Sequence, residues 1–226
     1  MAARGFFVTG TDTGIGKTLI ACALLHAYAR QGKRVAGMKP VAAGAARSAE
    51  GLINDDVMML RAASNVQAPR ALVNPYCFEP PIAPHLAAEQ AGVAIDLATI
   101  ASAYQQLASA ADVVIVEGVG GFCVPLNCRD DSADLAQRLG LPVILVVGVR
   151  LGCLNHALLS ALAIRGRGLK LAGWIANRID PAMAVAAENI TALAARLAAP
   201  LLFEIEFSEA PDPQRIAARL ELSNLV

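Results

Sequence analysis

The sequence predicts an α/β fold in which a single doubly wound, mainly parallel sheet carries helices on both faces. Short apolar runs alternate with longer helical patterns, and this alternation is typical of strand–helix–strand crossover units. The runs over residues 113–116 and 143–147 contain no polar residue, which indicates strands buried on both faces beneath helices. A glycine-rich loop at residues 10–18 joins the first apolar run to the first helical pattern.

The predicted elements follow this alternation in order. Strands are expected where apolar residues run without a break, over residues 5–9, 34–39, 112–117, 143–148, 171–176 and 201–205. Helices are expected in the longer windows between them, over residues 17–31, 56–63, 84–90, 96–109, 132–139, 154–165, 181–197 and 213–220. Prolines punctuate residues 65–84, which predicts a long irregular loop that forms part of a site. No internal repeat or linker composition interrupts the pattern, so residues 1–226 are expected to form one domain.

Composition limits the classes of function. Of 226 residues, 56% are hydrophobic and 4% aromatic, so the predicted core is aliphatic. The 19 basic and 19 acidic residues give a formal net charge of zero, which argues against nucleic acid or an anionic membrane as partner. No apolar stretch approaches a membrane span and no signal-peptide pattern precedes the loop, so a cytoplasmic location is expected. The five scattered cysteines lack a Cys-x-x-Cys pair, which indicates buried reduced thiols rather than zinc ligands or disulfides.

The glycine-rich loop reads GTDTGIGKT over residues 10–18 and indicates a phosphate-binding P-loop, hence a P-loop NTPase-like domain. Such a loop wraps backbone N–H groups around phosphate oxygens and points the positive end of the next helix at them. Lys17 would reach the outer phosphates and Thr18 would ligate Mg²⁺. Thr11 stands where a strict P-loop has glycine. The alternative, a glycine turn with an unrelated lysine, is disfavoured by the position between a strand and a helix.

Polar residues at the carboxyl ends of predicted strands mark the expected ligand edge of the sheet. Lys39 closes the second strand and would add a second cation beside the P-loop, the alternative being a lysine that reaches the surface. Glu117 closes the third strand and is followed by Gly118-Val119-Gly120, which suits contact with Mg²⁺ or an attacking group. Asp55 and Asp56 open a helix, where either carboxylate could be a metal contact or only a cap.

Two further strand ends carry candidate binding residues. Residues 150–156 run into an apolar helix whose free N–H groups suit a carboxylate, although an ordinary helix start explains the pattern equally well. Asn177 and Arg178 begin a stretch that half-matches the guanine-reading motif of GTPases and stands where a nucleobase contact is expected. The histidines show no metal-ligand spacing; they are His26, His85 and His156.

Taken together, these stretches resemble the dethiobiotin synthetases, and the similarity runs almost end to end. The residues that carry it are 8–13, 16–18, Lys39-Pro40-Val41-Ala42, Glu50-Gly51-Leu52 leading to Asp56, Asn74-Pro75-Tyr76, Pro84-His85, 116–118, 120–121, Leu151-Gly152-Cys153 to Asn155-His156, 172–174 and 176–177. That family has the same threonine in its loop, which accounts for Thr11. The resemblance implies ATP- and Mg²⁺-dependent ring closure of 7,8-diaminopelargonic acid with CO₂, through a carbamate and a carbamic–phosphoric anhydride, to give dethiobiotin, ADP and phosphate.

The resemblance also implies roles for individual residues. Lys39, Lys17 and Thr13 would act in catalysis, with Lys39 between the γ-phosphate and the carbamate. Mg²⁺ would be held by Thr18, Asp56 and Glu117. The nucleotide would be bound by Gly14, Ile15, Gly16, Lys17, Thr18, Leu19, Asp56, Glu117, Gly118, Val119, Gly120, Asn177 and Arg178. The diamine would be bound by Thr13, Lys39, Ala43, Gly152, Cys153, Leu154 and Asn155. In this family the last four come from a second subunit, which implies a homodimer.

The sequence departs from the family pattern at three places. Ala43 stands where the family often has serine, and Gly14 stands where an acidic residue can occur. Residues 203–207 replace a usual Gly-x-Ile-Pro segment near the nucleobase. A ParA- or MinD-like ATPase switch is the alternative function, but such proteins carry a lysine where this loop has Asp12. An amidotransferase-type synthetase would need a fused glutaminase domain, for which the chain is too short.

Overall fold

The computed structural model describes residues 3–49 and 51–225, so Glu50 of the family-like motif lies outside the described residues. In chain order the strands are β1 (Arg4–Gly10), β2 (Val35–Met38), β3 (Val41–Ala43), β4 (Ala46–Ser48), β5 (Gly51–Ile53), β6 (Tyr76–Phe78), β7 (Val113–Glu117), β8 (Val143–Val149), β9 (Leu171–Arg178) and β10 (Leu201–Ile205). The helices are α1 (Lys17–Arg30), α2 (Asp55–Ala63), α3 (Arg70–Val73), α4 (Pro84–Gln90), α5 (Leu97–Ala110), α6 (Ser132–Leu139), α7 (Cys153–Gly166), α8 (Ala186–Ala194) and α9 (Pro213–Ala217), before a 3₁₀ turn at Leu222–Asn224.

The central sheet has six strands in the order β10-β9-β8-β1-β7-β2, and every pairing in it is parallel. Parallel pairing brings the carboxyl ends of all six strands to one edge of the sheet. Val8 of β1 lies beside Glu117 of β7, and Gly148 of β8 lies beside Asn177 of β9. The residues that follow these strands therefore meet at a single edge, as the sequence predicted for this fold class.

Both faces of the sheet are buried. Phe6 and Val8 of β1 point to one side, into a core that includes residues of α1, α2 and α9. Phe7 points to the opposite side, into a core that includes residues of α5, α6, α7 and α8. The period of two along a strand explains this division, since neighbouring side chains leave opposite faces. The doubly wound sheet expected from the unbroken apolar runs is confirmed.

The irregular loop expected over residues 65–84 is only partly irregular, because it contains α3 and β6. β6 pairs in parallel with β3, and β4 pairs with β5 in a small antiparallel hairpin. Each of these strands has three residues. Three residues are too short to show a hydrophobic period, so sequence patterning could not reveal them.

The helix expected over residues 181–197 is shorter than predicted. Met183 N–H donates to the carbonyl of Asp180 at 3.3 Å, and Ala182 N–H donates to the Asp180 side chain at 2.9 Å. These bonds close a turn after the strand, so the helix begins only at Ala186. The interpretation of Asp180-Pro181 as a helix start is therefore wrong.

The cysteine thiols are all free in the described residues, but they are not all buried. Cys22 and Cys153 are buried, whereas Cys123 and Cys128 are exposed, which corrects the expectation for the latter two. Burial raises the pKa of the Cys22 thiol to about 12, so this thiol is inert as a nucleophile. Within residues 3–49 and 51–225 no helix has both the length and the apolar character needed to cross a membrane.

Candidate active site

A cleft of about 840 Å³ opens at the carboxyl edge of the sheet, over the ends of β1, β2 and β7. It brings together residues that are far apart in the sequence. Of the predicted site residues, those that line it are Thr13, Gly14, Gly16, Lys17, Thr18, Lys39, Ala43, Asp56, Glu117, Val119 and Gly120. Pro81 and Pro84 also line the cleft, which agrees with the expectation that the proline-rich segment forms part of a site.

The P-loop ends at Gly16, the N-cap of α1, whose φ of 92° lies in the left-handed region. A Cβ atom at this position would lie 2.5 Å from Nδ2 of Asn177, so only glycine fits. Ile15 and Leu19 have buried side chains, and any contact they make with a nucleotide must use backbone groups. Lys17 opens α1, and its Nζ donates to the carbonyl of Asp12 at 2.8 Å.

Thr11 docks the P-loop onto the neighbouring strand β8. Its backbone N–H donates to the carbonyl of Val146 at 3.0 Å, and its Oγ1 accepts from the N–H of Gly148 at 3.4 Å. Glycine has no side chain for the second contact. The threonine that breaks the strict P-loop pattern thus has a structural role in holding the loop against the sheet.

Lys39 is the centre of a buried charge cluster beside the P-loop. Its Nζ lies 2.5 Å from Oε1 of Glu117 and 3.0 Å from Oδ2 of Asp56, and it donates to the carbonyl of Gly118 at 3.3 Å. The two members of the closest pair are almost fully buried, with 4% and 1% of their surface exposed. Asn74 fixes the backbone here, because its Nδ2 donates to the carbonyl of Lys39 at 2.6 Å.

Thr18 joins the same cluster from the first turn of α1. Its Oγ1 lies 2.8 Å from Oδ1 of Asp56 and 2.9 Å from Oε1 of Glu117, and its single proton can be donated to one of them at a time. The second oxygen of Glu117, Oε2, is buried and has no hydrogen-bond partner among the described residues. Asp55, the neighbour of Asp56, is exposed on the outside of the helix.

These oxygens fit the chemistry of Mg²⁺, a hard cation that takes oxygen ligands and keeps several waters. The carboxylates of Asp56 and Glu117 and the hydroxyl of Thr18 converge beside the P-loop. Among the described residues, Oε2 of Glu117 has no hydrogen-bond donor, so it could accept a bond or ligate a cation. No group of three or more His, Cys, Asp and Glu side chains in the described part of the chain could hold a metal ion. A metal here would therefore depend on oxygens supplied by water and by a phosphate ligand.

Burial and mutual charge set the ionisation of this cluster. Burial raises the pKa of Glu117 above its ordinary value, although Lys39 acts in the opposite direction. Burial alone would lower the pKa of Lys39, but Glu117 and Asp56 outweigh it and hold that pKa above the ordinary value. Burial, with help from the nearby charge of Lys39, lowers the pKa of Lys17 to about 8. Both lysines face the cleft as cations that are poorly solvated and suited to bind anions.

The predicted nucleobase residues, Asn177 and Arg178, are the last two residues of β9. Nδ2 of Asn177 donates to the carbonyl of Ile15 at 2.9 Å, which ties β9 to the P-loop and leaves its second N–H and its amide oxygen for a ligand. Arg178 contacts Glu204 through Nε at 2.7 Å and Glu206 through a terminal nitrogen at 3.4 Å. The guanidinium is thus paired by carboxylates of the segment that departs from the family pattern.

The start of α7 does not line this cleft. Gly152 has a φ of 93° and caps the helix, Cys153 is buried and Leu154 is half-buried. Asn155 is exposed and shares one face of α7 with Leu159 and Leu162, which are 57% and 64% exposed. The four predicted carboxylate-binding residues therefore do not line the cleft that holds the predicted catalytic residues of the same subunit.

Comparison with known proteins assigns the family. A family model described as an AAA domain matches residues 4–215. The ATP-dependent dethiobiotin synthetase BioD of Aromatoleum aromaticum is 58% identical over 219 residues, which cover 97% of each chain. The chain belongs to the dethiobiotin synthetase family. The synthetase of the same name from Nitrosospira multiformis is 54% identical and covers 98% of this chain and 96% of its own. The resemblance inferred from sequence motifs is confirmed, and with it the expectation of an ATP-dependent ligase.

Solved structures similar to this dethiobiotin synthetase family member show its fold. MinD of Aquifex aeolicus superimposes with a TM-score of 0.55 at 16% identity, covering 96% of this chain and 87% of its own. A ParA family ATPase from Chlorobium tepidum gives a TM-score of 0.57 at 16% identity, covering 99% and 94%. At such low identity the similarity shows the fold alone, and it confirms the P-loop NTPase-like architecture.

Two contacts near the site could not be predicted from the sequence. Asn74, in the family-like Asn-Pro-Tyr stretch, holds the backbone of Lys39. Arg150 is the first residue of the stretch before α7, and a terminal nitrogen of its guanidinium lies 2.6 Å from Oδ2 of Asp12. The two members of this ion pair are separated by 138 residues, and no local pattern relates them.

Proposed function

We propose that this protein catalyses the ATP- and Mg²⁺-dependent ring closure of 7,8-diaminopelargonic acid with CO₂ to give dethiobiotin, ADP and phosphate. The observation that carries the proposal is the buried Lys39, which stands beside the P-loop between two carboxylates. A cation in this position can contact both a γ-phosphate and a second anion. Family membership supplies the substrate class, and the cleft supplies the means of holding two anions together.

The proposed reaction needs no nucleophile from the protein. One amine of the substrate attacks CO₂ and loses a proton, which leaves a carbamate. A carbamate oxygen attacks the γ-phosphorus, ADP leaves, and the product is a carbamic–phosphoric anhydride. The second amine then attacks the anhydride carbonyl and loses a proton, and phosphate departs as the ring closes. The protein must hold two anions in contact and stabilise the charge that develops between them.

The lysines of the cleft provide that stabilisation in this proposal. Lys17 contacts the outer phosphates, and Lys39 lies between the γ-phosphate and the carbamate. Thr13 lies on the rim of the cleft and approaches the diamine, as does Ala43. Ala43 has no hydroxyl, so this chain lacks a side-chain hydrogen bond that a serine there would make.

Thr18, Asp56 and Glu117 would hold Mg²⁺, whose role is to neutralise charge on the phosphates as they are transferred. In a crystal structure with Mg²⁺ and a non-hydrolysable ATP analogue, we expect their oxygens about 2.0–2.1 Å from the ion or one water away. The measurement is direct, and a structure without added metal is its control. If Asp55 turned toward the ion and Asp56 away from it, the choice between these neighbours would be wrong.

Nucleotide binding in this proposal relies on the phosphates. The backbone of residues 14–16 and of 118–120 surrounds them, and the base lies over Asn177 and Arg178. One N–H of Asn177 is engaged by the P-loop and the guanidinium of Arg178 by Glu204. The remaining N–H and the oxygen of Asn177 offer both a donor and an acceptor, so they can meet more than one base.

Weak base selectivity is the expected result. GTP or CTP should support turnover within roughly tenfold of ATP, equivalent to about 1.4 kcal/mol of discrimination. The measurement is kcat/KM for each nucleotide at saturating diamine and bicarbonate. A preference for ATP above roughly a hundredfold would show a base pocket that these residues do not explain.

We also propose that the protein works as a homodimer. Leu159 and Leu162 expose a leucine face on α7, and Leu151 just before it is 88% exposed. Exposed apolar surface of this kind is typical of a contact with another protein. Asn155 lies on that same face, so a second copy seated there would bring its own cleft close to the start of α7. The substrate carboxylate in the partner's cleft would then be bound by Gly152, Cys153, Leu154 and Asn155.

The proposal also includes a single domain over residues 1–226 and a cytoplasmic location.

A single experiment separates this function from a ParA- or MinD-like switch. Phosphate release from ATP should require both 7,8-diaminopelargonic acid and bicarbonate, with omission of either as the control. A switch protein would hydrolyse ATP without them. Phosphate release that ignores both compounds would overturn the proposal.

A further inference from the structure

Arg150 lies between the P-loop and α7. It directly follows β8, and its guanidinium contacts Oδ2 of Asp12 at 2.6 Å. The other oxygen of that carboxylate, Oδ1, accepts from the backbone N–H of Thr13 at 2.8 Å. Asp12 is thus held from both sides, and both contacts lower the pKa of its carboxyl group, the bond from Thr13 more strongly than that from Arg150.

Asp12 in turn positions two groups of the P-loop, the ammonium group of Lys17 and the backbone N–H of Thr13. Its backbone carbonyl accepts from Nζ of Lys17 at 2.8 Å, and its side chain fixes the N–H of Thr13. A triphosphate in the loop would compete with this carbonyl for the ammonium group of Lys17. We therefore expect the contact between Lys17 and Asp12 to change when the loop binds phosphates.

The backbone of Arg150 belongs to the start of α7. Its carbonyl accepts from the N–H of Cys153 at 3.0 Å, which closes the turn through Gly152. One residue consequently contacts the P-loop with its side chain and shapes the helix start with its main chain.

We propose that Arg150 is a positioning residue that couples nucleotide binding in the P-loop to carboxylate binding at the start of α7. The inference rests on the proposed function, under which the α7 start completes the cleft of the partner subunit. Nucleotide binding in one subunit then organises the diamine site of the other. The ion pair is 41% and 46% exposed, so its contribution to global stability is small and its value lies in this coupling.

Thermodynamic linkage makes the proposal measurable. If diamine strengthens nucleotide binding by some factor, nucleotide must strengthen diamine binding by the same factor. We expect this factor to be about fivefold or more in the unmodified protein. It would be measured by titration calorimetry with a non-hydrolysable ATP analogue and 7,8-diaminopelargonic acid, each in the absence and presence of the other.

Two variants test the pair from its two ends. Arg150→Gln removes the guanidinium, and Asp12→Asn removes the charge while keeping an oxygen for the N–H of Thr13. Each should lower the coupling factor to within about twofold of unity, with both ligands still binding alone, and the double variant should lose no more than either single one. Arg150→Lys should restore part of the factor. Arg34→Gln breaks a comparable exposed ion pair, with Asp112 at 2.9 Å, and should leave the factor unchanged.

The outcomes are distinguishable. Unchanged coupling in Arg150→Gln and Asp12→Asn, or no coupling in the unmodified protein, would overturn the role of Arg150 and leave the proposed function intact. Equal loss of coupling in Arg34→Gln would overturn it as well. An unmodified protein that binds the nucleotide analogue but no diamine would contradict both proposals together. Thermal melts of each variant check the fold, and the two single variants give independent readings if one is unstable.

Discussion

Replacement of Lys39 by alanine should lower kcat by about 10²–10³-fold or more, while the affinity for ATP stays largely intact. Lys39 is the only proposed contact to both the γ-phosphate and the carbamate, so its charge acts on the transition state rather than on the bound nucleotide. P-loop contacts made by Lys17 and the backbone remain in the variant. The measurements are single-turnover rates and nucleotide affinity by titration.

The stability of this variant needs a parallel measurement. Loss of Lys39 leaves Glu117 buried without a cation, and breaking a buried pair in this way costs about 3–5 kcal/mol. Activity must therefore be measured well below the melting temperature of the variant. Lys33→Ala, which removes an exposed lysine, is the matched control and should change neither property. Turnover near that of the unmodified protein in Lys39→Ala would refute the proposed role.

Charging the leucine face of α7 should separate the subunits and lower turnover about 10²-fold or more. Leu159→Asp with Leu162→Asp places two carboxylates where the proposed interface is apolar. A monomer would lack the α7 start of its partner, and misplacement of a substrate typically lowers the rate about 10²-fold or more. Nucleotide binding should persist, because the P-loop belongs to one subunit. Sedimentation and activity measurements check the result, and Val93→Asp, at another exposed apolar side chain, is the control.

Mixing two inactive variants tests whether the site is shared. Lys39→Ala disables the cleft and keeps the α7 start, whereas Asn155→Asp repels the substrate carboxylate and keeps the cleft. A mixed dimer has one cleft with both parts intact, so random exchange should restore about a quarter of the unmodified activity. Failure to regain activity after proven subunit exchange would place the carboxylate site elsewhere.

Local patterns in the sequence were sufficient to predict the buried strands of the central sheet and the phosphate loop. Unbroken apolar runs identified β7 and β8, because a strand buried on both faces shows no polar alternation. Glycines followed by Lys17 and Thr18 identified the phosphate loop, since few other sequences combine a tight turn with a cation at a helix start. The polar residues at strand ends could be expected to meet because parallel strands present their carboxyl ends at one edge.

Only the tertiary structure decided which of two adjacent aspartates belongs to the site. The sequence around Asp55 and Asp56 does not distinguish a metal contact from a helix cap. The orientation of α2 points Asp56 at Thr18 and Lys39 and leaves Asp55 exposed.

The same limit applies to contacts between distant segments. The bond from Asn177 to Ile15 and the ion pair of Asp12 with Arg150 join residues more than 130 positions apart. A hydrophobic period predicts which face of a helix or strand is buried, but it does not predict which residues pack against that face. Those partners are set by strand order and crossover geometry, which arise only when the whole sheet is assembled.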